Sequence, residues 1–425
     1  MAERVGYYEK EWETQSLEER EKRQSAWLAE TVSYAFEHCE TVREKMDQAG
    51  VGPDAISSIK DLEKIPITPK RDLVQLNIEK GPFGGFLGVS PDELKRVYIS
   101  PGPIYDPHGR EDDFYSLQPI FYNAGFRKGD RVINTFSYHL TPAGIFCDEA
   151  INALGCVLIP TGVGNTEVQI KTMLDLKVNG YVGVPSFLMS LIKKAEDKGY
   201  DFNRDFSMEV AFVAGEILPD SMRREMEEDY HIIVRQGLII ADIGGISYEC
   251  PEKNGMHFSE HRIVEIVDPQ TGKQLGPGEV GEVVVTPLRH KTYPVIRLGT
   301  GDLSYYEEEP CPCGRTSKRM MKIVGRVDQV TKVRGMFIHP SQVQEVAAAF
   351  PEVSRVRVRV DREGARDLML FDVELAEGVV GSEVLKSKIE EKIREVLKLR
   401  GDVSFLQKGT IPEEAKIIED VRKWE

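Results

Sequence analysis

Between residues 130 and 215 four short apolar runs recur with room for one helix between each: RVINTF from Arg131, CVLIP from Cys156, YVGVP from Tyr181 and MEVAFVAG from Met208. Short β-branched strands separated by helix-length segments cannot pair as hairpins, so they predict an α/β fold with a mostly parallel sheet. Helix starts are marked by Pro142 to Gly144, by a capping box at Thr166 and Gln169, by Pro185-Ser186 and near Pro219. In such sheets ligands bind beyond the carboxyl ends of the strands, which places the loops after each run at the functional edge.

At 425 residues the chain has room for two or three domains and a large core. An apolar fraction of 41% with 29% charged residues is that of an ordered globular protein. No apolar run approaches the roughly 20 residues of a membrane span, and the charged start (Glu3, Arg4, Glu9, Lys10) has no apolar signal core. These features predict a cytoplasmic protein without a membrane partner. The net charge of −15 opposes nucleic-acid binding, so any polyanion must be held by local groups. Residues 17–50 carry apolar positions at helical spacing (Leu28, Val32, Ala35) and end at Gly50, which predicts an amphipathic helical region.

The stretch from Arg297 to Val346 is the richest in chemistry. Asp302, flanked by glycines and bordered by Arg297, can accept two hydroxyl hydrogen bonds at once, as a ribose diol requires; an ordinary turn aspartate is the plain alternative. Cys311-Pro-Cys313-Gly follows, about sixty residues after Cys250, His257 and His261. Thiolate and imidazole ligands in fours favour zinc. One arrangement is Cys250, His257, Cys311 and Cys313, with His261 as the alternative imidazole; the other reading is reduced, unliganded cysteines, which the spread of six cysteines over a long chain also allows.

Taken together, Arg297-x-x-Thr300-x-Asp302, Gly325-Arg326-x-Asp328 and Arg334-Gly335-x-Phe337-x-x-Pro340-x-Gln342 resemble the adenylate-forming ligases, and among them the phenylacetate-CoA ligase family. The segment Pro66 to Leu73 resembles the family's P-x-T-K-x-D-L with Pro69 as one extra residue after Thr68, so the resemblance spans nearly the whole chain. It implies a large N-terminal AMP-binding and acyl-substrate domain over 1–327, with parallel sheets and a small β-subdomain near residues 263–288, and a small α+β lid over 328–425. By the resemblance Asp302 takes the ribose hydroxyls, Arg326 a second ribose or phosphate contact, Asp328 is the hinge, and Arg334 and Gly335 line the pantetheine path. Gly215-Glu216 corresponds to the turn beside adenine, and Ser137 to Gly144 to the acyl pocket, with lining positions near Tyr138, Leu140 and Gly244. His139 either faces the substrate or thiol or sits in the core; Lys416 is either the lysine of the adenylation step or an exposed terminal lysine.

Two segments depart from the family pattern. Where relatives carry S-S-G-T-T-G-K-P around the ATP phosphates, this chain has Ser100 to Pro107; Ser100, Gly102 and Pro107 match, Pro101 and Pro103 donate no N–H, and Asp106 replaces a cation. At LIIAD, residues 238–242, only the Mg²⁺-holding carboxylate remains, as Asp242. The resemblance implies ATP or AMP, Mg²⁺ and coenzyme A as cofactors, structural Zn²⁺, a small-molecule carboxylic acid as substrate, and a homodimer. The predicted activity is ATP-dependent ligation of an aryl or related acid to CoA through an acyl-adenylate. The alternative is a ligase-fold protein that binds AMP, CoA or an acyl conjugate without normal ATP activation, as an acyl transferase or sensor.

In the lid the order is a helix from Ser341, strand VSRVRVRV, a turn near Glu363, strand LMLFDVEL, a helix through residues 382–398 and a last strand near Val403 to Leu406. Strict alternation in VRVRV predicts a buried valine face and a solvated arginine face.

Overall fold

Each of the four apolar runs supplies one strand of a nine-stranded sheet. Val157–Pro160, Arg131–Asn134, Gly180–Gly183, Val210–Val213 and then Ile233–Ile240 lie side by side, all parallel. Gly244–Glu249, Met256–Phe258, Arg319–Met320 and Tyr306–Glu307 extend the sheet with antiparallel pairings. The computed structural model describes residues 4–100, 104–327, 331–333, 336–338, 340–363, 366–412 and 414–422. The chain divides into two compact units, residues 1–300 with 305–321, and residues 301–304 with 322–425.

The parallel strands read as unbroken apolar runs because both faces are covered. Val132, Val182, Val210 and Phe212 pack with Phe121, Phe146 and Ile151, from helices Gln118–Ala124 and Ala143–Ala153. Ile133, Tyr181, Ala211 and Val213, one residue out of phase, pack with Ile170, Leu188 and Ile192 from helices Thr166–Asp175 and Pro185–Asp197. The expected capping box at Thr166 is not formed. Asn165, in left-handed conformation, precedes that helix, and the Gln169 amide instead donates back to the Gly162 carbonyl at 2.8 Å.

The amphipathic region is two helices, Leu17–His38 and Glu40–Gln48, broken at the extended residue Cys39. The first begins in a capping box between Ser16 and Glu19. Strands Arg262–Val267 and Gly281–Pro287 are antiparallel, as the β-subdomain reading expects, and Gly281–Pro287 is followed in the same sheet by Leu298–Ser304 and Thr68–Pro69. Arg297 is consumed in holding this sheet: it is 1% exposed, pairs with Glu265 at 3.0 Å and donates to the carbonyls of Ile65 and Gly272.

Lys45 reaches the Thr68 hydroxyl close by. Burial, and then the positive charge of Arg297, push its amine down to about 7. A depressed amine stabilises the fold fully above its unfolded value of about 10.4, and that contribution is lost as pH falls toward 7. Lys45→Met is therefore expected to melt higher than the parent below about pH 7 and to lose the advantage by about pH 10.5, read as melting temperature across a pH series.

The second unit holds a four-stranded sheet in the order Asp402–Leu406, Arg366–Leu375, Val353–Glu363, Ile418–Asp420. Val358, Val360, Phe371 and Val373 pack with Ile389 and Ile393 of helix Glu383–Leu397 and with Val343 of helix Pro340–Ala348. The arginine face is not simply solvated. Arg357 and Arg359 both grip the Asp372 carboxylate, at 2.9 and 2.7 Å, and Asp372 is 2% exposed. No helix among the described residues is long and apolar enough to cross a membrane.

Candidate active site

A cavity of about 700 Å³ opens at the carboxyl ends of the parallel strands. Its walls come from the segments that follow each strand: Thr135 to Ser137, Val163-Gly164, Val184 with Ser186, Phe187 and Ser190, and Ala214-Gly215. Ser100, Ile239, Ala241 and the start of helix Ala143–Ala153 complete it. No charged side chain lines it among the described residues.

Ser100 ends strand Arg96–Ser100, which pairs antiparallel with Ile104–His108. In the segment aligned with the relatives' phosphate loop, Ser100 and Ile104 to Pro107 are thus residues of paired strands, Asp106 and Pro107 among them. Asp106 is 1% exposed, and neither carboxylate oxygen has a hydrogen-bond partner among the described residues. Burial, and then the neighbouring Asp242 carboxylate, hold it well above the usual carboxylate range. Asp242 is 1% exposed; its Oδ2 accepts from Lys70 Nζ at 2.5 Å, while its Oδ1 and the Ser100 hydroxyl are buried with no partner among the described residues. Oxygen donors of this kind fit a hard cation. Lys70 lies in the Pro66 to Leu73 segment, whose motif was its only signal in the sequence.

Gly215 lines the cavity, and Glu216 beside it accepts the Ser186 N–H at 2.7 Å, so it closes the first turn of helix Pro185–Asp197. His139 is exposed and off the cavity wall. Its neighbours Ser137 and Thr141 line the wall in its place, because the turn at Leu140, with φ of 59°, directs residues 139 and 140 outward. Tyr138, Leu140 and Gly244 do not themselves line it, while the nearby Ser137, Thr141 and Ala241 do. The Tyr138 hydroxyl accepts from Asn134 at 2.9 Å, and Gly244 packs so closely that a Cβ there would sit 2.2 Å from the Tyr115 carbonyl oxygen.

In the second unit Asp302 and Arg326 face each other across paired strands, with Arg326 Nη1 2.6 Å from Asp302 Oδ1. Gly301, at φ of 79°, leaves room for that guanidinium; a Cβ would meet Arg326 Nη2 at 2.7 Å. Lys416 is exposed, just ahead of strand Ile418–Asp420. Gly102, Asp328, Arg334 and Gly335 lie outside the described residues, as do Pro101, Pro103 and Glu413.

The four metal-ligand candidates come together. The ligand atoms of Cys250, His257, Cys311 and Cys313 all lie within 4.8 Å of one another. Cys250 Sγ is 3.7 Å from Cys311 Sγ, and Cys313 Sγ is 3.4 Å from His257 Nε2. His257 Nδ1 is bound at Ser317, which leaves Nε2 facing the thiols. Hydrogen bonding from Cys250, then from His257, holds the Cys313 thiol far below its usual range. His261 is elsewhere: its Nε2 meets Glu9 at 3.1 Å and its ring stacks on Trp27. A set of three thiols and one imidazole, buried except for the half-buried Cys313, fits a closed zinc site.

Residues 335–422 match the family described as AMP-binding enzyme C-terminal domain. Over 90% of its length the chain is 32% identical to a phenylacetate-coenzyme A ligase of Thermus thermophilus, 88% of which it covers. The chain belongs to the phenylacetate-CoA ligase family. A phenylacetate-coenzyme A ligase of Escherichia coli is 29% identical over 94% of this chain and 94% of its own. A 2-hydroxyisobutyryl-CoA ligase in complex with 2-HIB-AMP and CoA, in the thioesterification state, superposes with a TM-score of 0.73 at 26% identity, covering 98% of this chain and 93% of that one. The fold and family are those of adenylate-forming acid–thiol ligases, which join an acid to CoA through an acyl-adenylate at the expense of ATP.

Proposed function

We propose that this phenylacetate-CoA ligase family member activates a monocarboxylic acid whose body enters the cavity of about 700 Å³, and that Asp302 and Arg326 bind the ribose of the nucleotide. The carboxylate attacks the α-phosphorus of ATP, the bond to pyrophosphate breaks, and pyrophosphate leaves. The CoA thiolate then attacks the acyl carbon and AMP departs. Asp242 would hold Mg²⁺ through its Oδ1, which has no partner among the described residues, and a structural zinc would sit on Cys250, His257, Cys311 and Cys313. Lys416 would supply the cation of the first step, Asp328 the hinge, and Arg334 and Gly335 the pantetheine path. The protein is further proposed to work as a cytoplasmic homodimer.

The observation that carries this reading is the uncharged cavity at the carboxyl edge of the parallel sheet, bordered by Ser100, Gly215 and Ala241 from segments that resemble phosphate and adenine motifs. A second reading is favoured by Asp106 alone. A buried carboxylate in strand Ile104–His108, aligned with the lysine of the family's loop, disfavours a triphosphate, and suits binding of AMP, CoA or an acyl conjugate without ATP cleavage. Pyrophosphate release with Mg-ATP across a panel of aryl and aliphatic monocarboxylates, with and without CoA, separates the two. Acid-dependent release is expected. Absence of pyrophosphate release with every acid in the panel, together with calorimetric binding of AMP or CoA, would favour the second reading.

A further inference from the structure

We infer that the acid carries a hydroxyl on an otherwise apolar body, and that Ser186 and Ser190 recognise it. This rests on the reading of the cavity as the acyl site.

Ser186 and Ser190 stand four residues apart on helix Pro185–Asp197, so they share one face, and both open onto the cavity. Helical serines usually turn their hydroxyl back to a carbonyl of the preceding turn. Neither of these does so, and neither hydroxyl meets another partner among the described residues. Two other wall hydroxyls differ, whereas the buried Ser100 hydroxyl likewise has no partner among the described residues. Thr135 Oγ1 donates to the Val182 carbonyl at 3.2 Å and Ser137 Oγ accepts the His139 N–H at 3.2 Å.

Around the two serines the wall is apolar, with Phe136, Phe146 and Val184 among its residues. An acyl group that fills the space expels the water now available to both hydroxyls, and an unpaired hydroxyl in an apolar site is disfavoured. A hydroxyl on the acid restores the bonds, since it both donates and accepts. A charged substituent is excluded on two counts. No counter-charge lines the wall, and the Glu216 carboxylate already takes the Ser186 N–H at 2.7 Å, which closes the helix terminus to a second carboxylate.

The test uses sulfamoyladenosine conjugates, which mimic the acyl-adenylate without reacting, of phenylacetic acid and of its ring-hydroxylated isomers. Calorimetric titration is expected to show at least one hydroxylated conjugate binding about tenfold or more tighter than the parent conjugate. Ser190→Ala is expected to bring that ratio close to one, and Ser186→Ala to reduce it, with the parent conjugate bound as tightly as before. Alanine favours the helix, so folding is not at issue. Equal affinities in the wild-type protein, or a ratio that neither substitution moves, would overturn the inference and leave the ligase reading standing. Failure of the folded wild-type protein to bind any conjugate would sink both.

Discussion

Exchanging Cys250 and Cys313 for serine, or stripping the protein with a strong chelator, is expected to lower its melting temperature by roughly 10 °C and to expose the segment Gly6–Gln15 to protease. The size follows from the proposed zinc, since structural metal binding contributes several kcal/mol to folding, at about 2–4 °C per kcal/mol for a large domain. The location follows from what the Cys311–Cys313 turn holds beyond its thiols. The Tyr7 hydroxyl donates to the Cys313 carbonyl at 2.6 Å, and Arg315 donates to the Gly6 carbonyl at 2.6 Å. Arg315 also pairs with Glu13 at 2.7 Å, both side chains being 2% exposed, and Thr316 Oγ1 donates to the Gln15 carbonyl at 2.6 Å. If the turn loosens, Arg315 withdraws and Glu13 is left as a buried charge without its cation, so the whole segment should come away. Hydrogen exchange of residues 6–15 and metal analysis of the purified protein provide the check. Protein that carries no zinc yet shows the same melting temperature and protection would remove the metal from the account.

The parallel sheet was legible because a strand buried on both faces leaves a continuous apolar run, and the helix-length spacing between runs excludes hairpins. The thiol cluster was legible from ligand chemistry, but spacing could not choose between His257 and His261. That choice depends on strand pairing: Met256–Phe258 runs antiparallel to Gly244–Glu249 and points His257 at the thiols, while His261 lies past the strand end against Trp27. The pairs that shape the site are far apart in sequence, which is why no local pattern announced them. Lys70 and Asp242 are separated by 172 residues, Glu13 and Arg315 by 302. Thr166 and Gln169 show the opposite failure, a local pattern that fits a capping box but is overridden when Gln169 finds the Gly162 carbonyl. Ser186 was read only as a helix start, because a serine at that position has a sufficient local explanation.

Replacing Lys416 by alanine is expected to slow acyl-adenylate formation by about 10²–10³-fold, while transfer of a preformed acyl-adenylate to CoA changes by about twofold or less. Lys416 makes no hydrogen bond or ion pair among the described residues, so its ammonium is available to a ligand. Its backbone is placed firmly nonetheless: Ile418 is buried, and the Ile417 carbonyl accepts the Val358 N–H at 2.7 Å. An exposed lysine with no partner changes stability by less than about 0.5 kcal/mol when truncated, so a rate loss would report on chemistry and not on folding. The split between half-reactions carries the argument. A fixed cation stabilises the charge that develops as pyrophosphate leaves, whereas attack of a thiolate on the acyl carbon needs no cation at that place, and the two steps of such ligases call on different arrangements of the lid. A loss shared equally by both steps would mean that Lys416 supports binding in general. No loss in either would move the adenylation cation elsewhere, and Lys70, already 2.5 Å from Asp242, would be the next residue to replace.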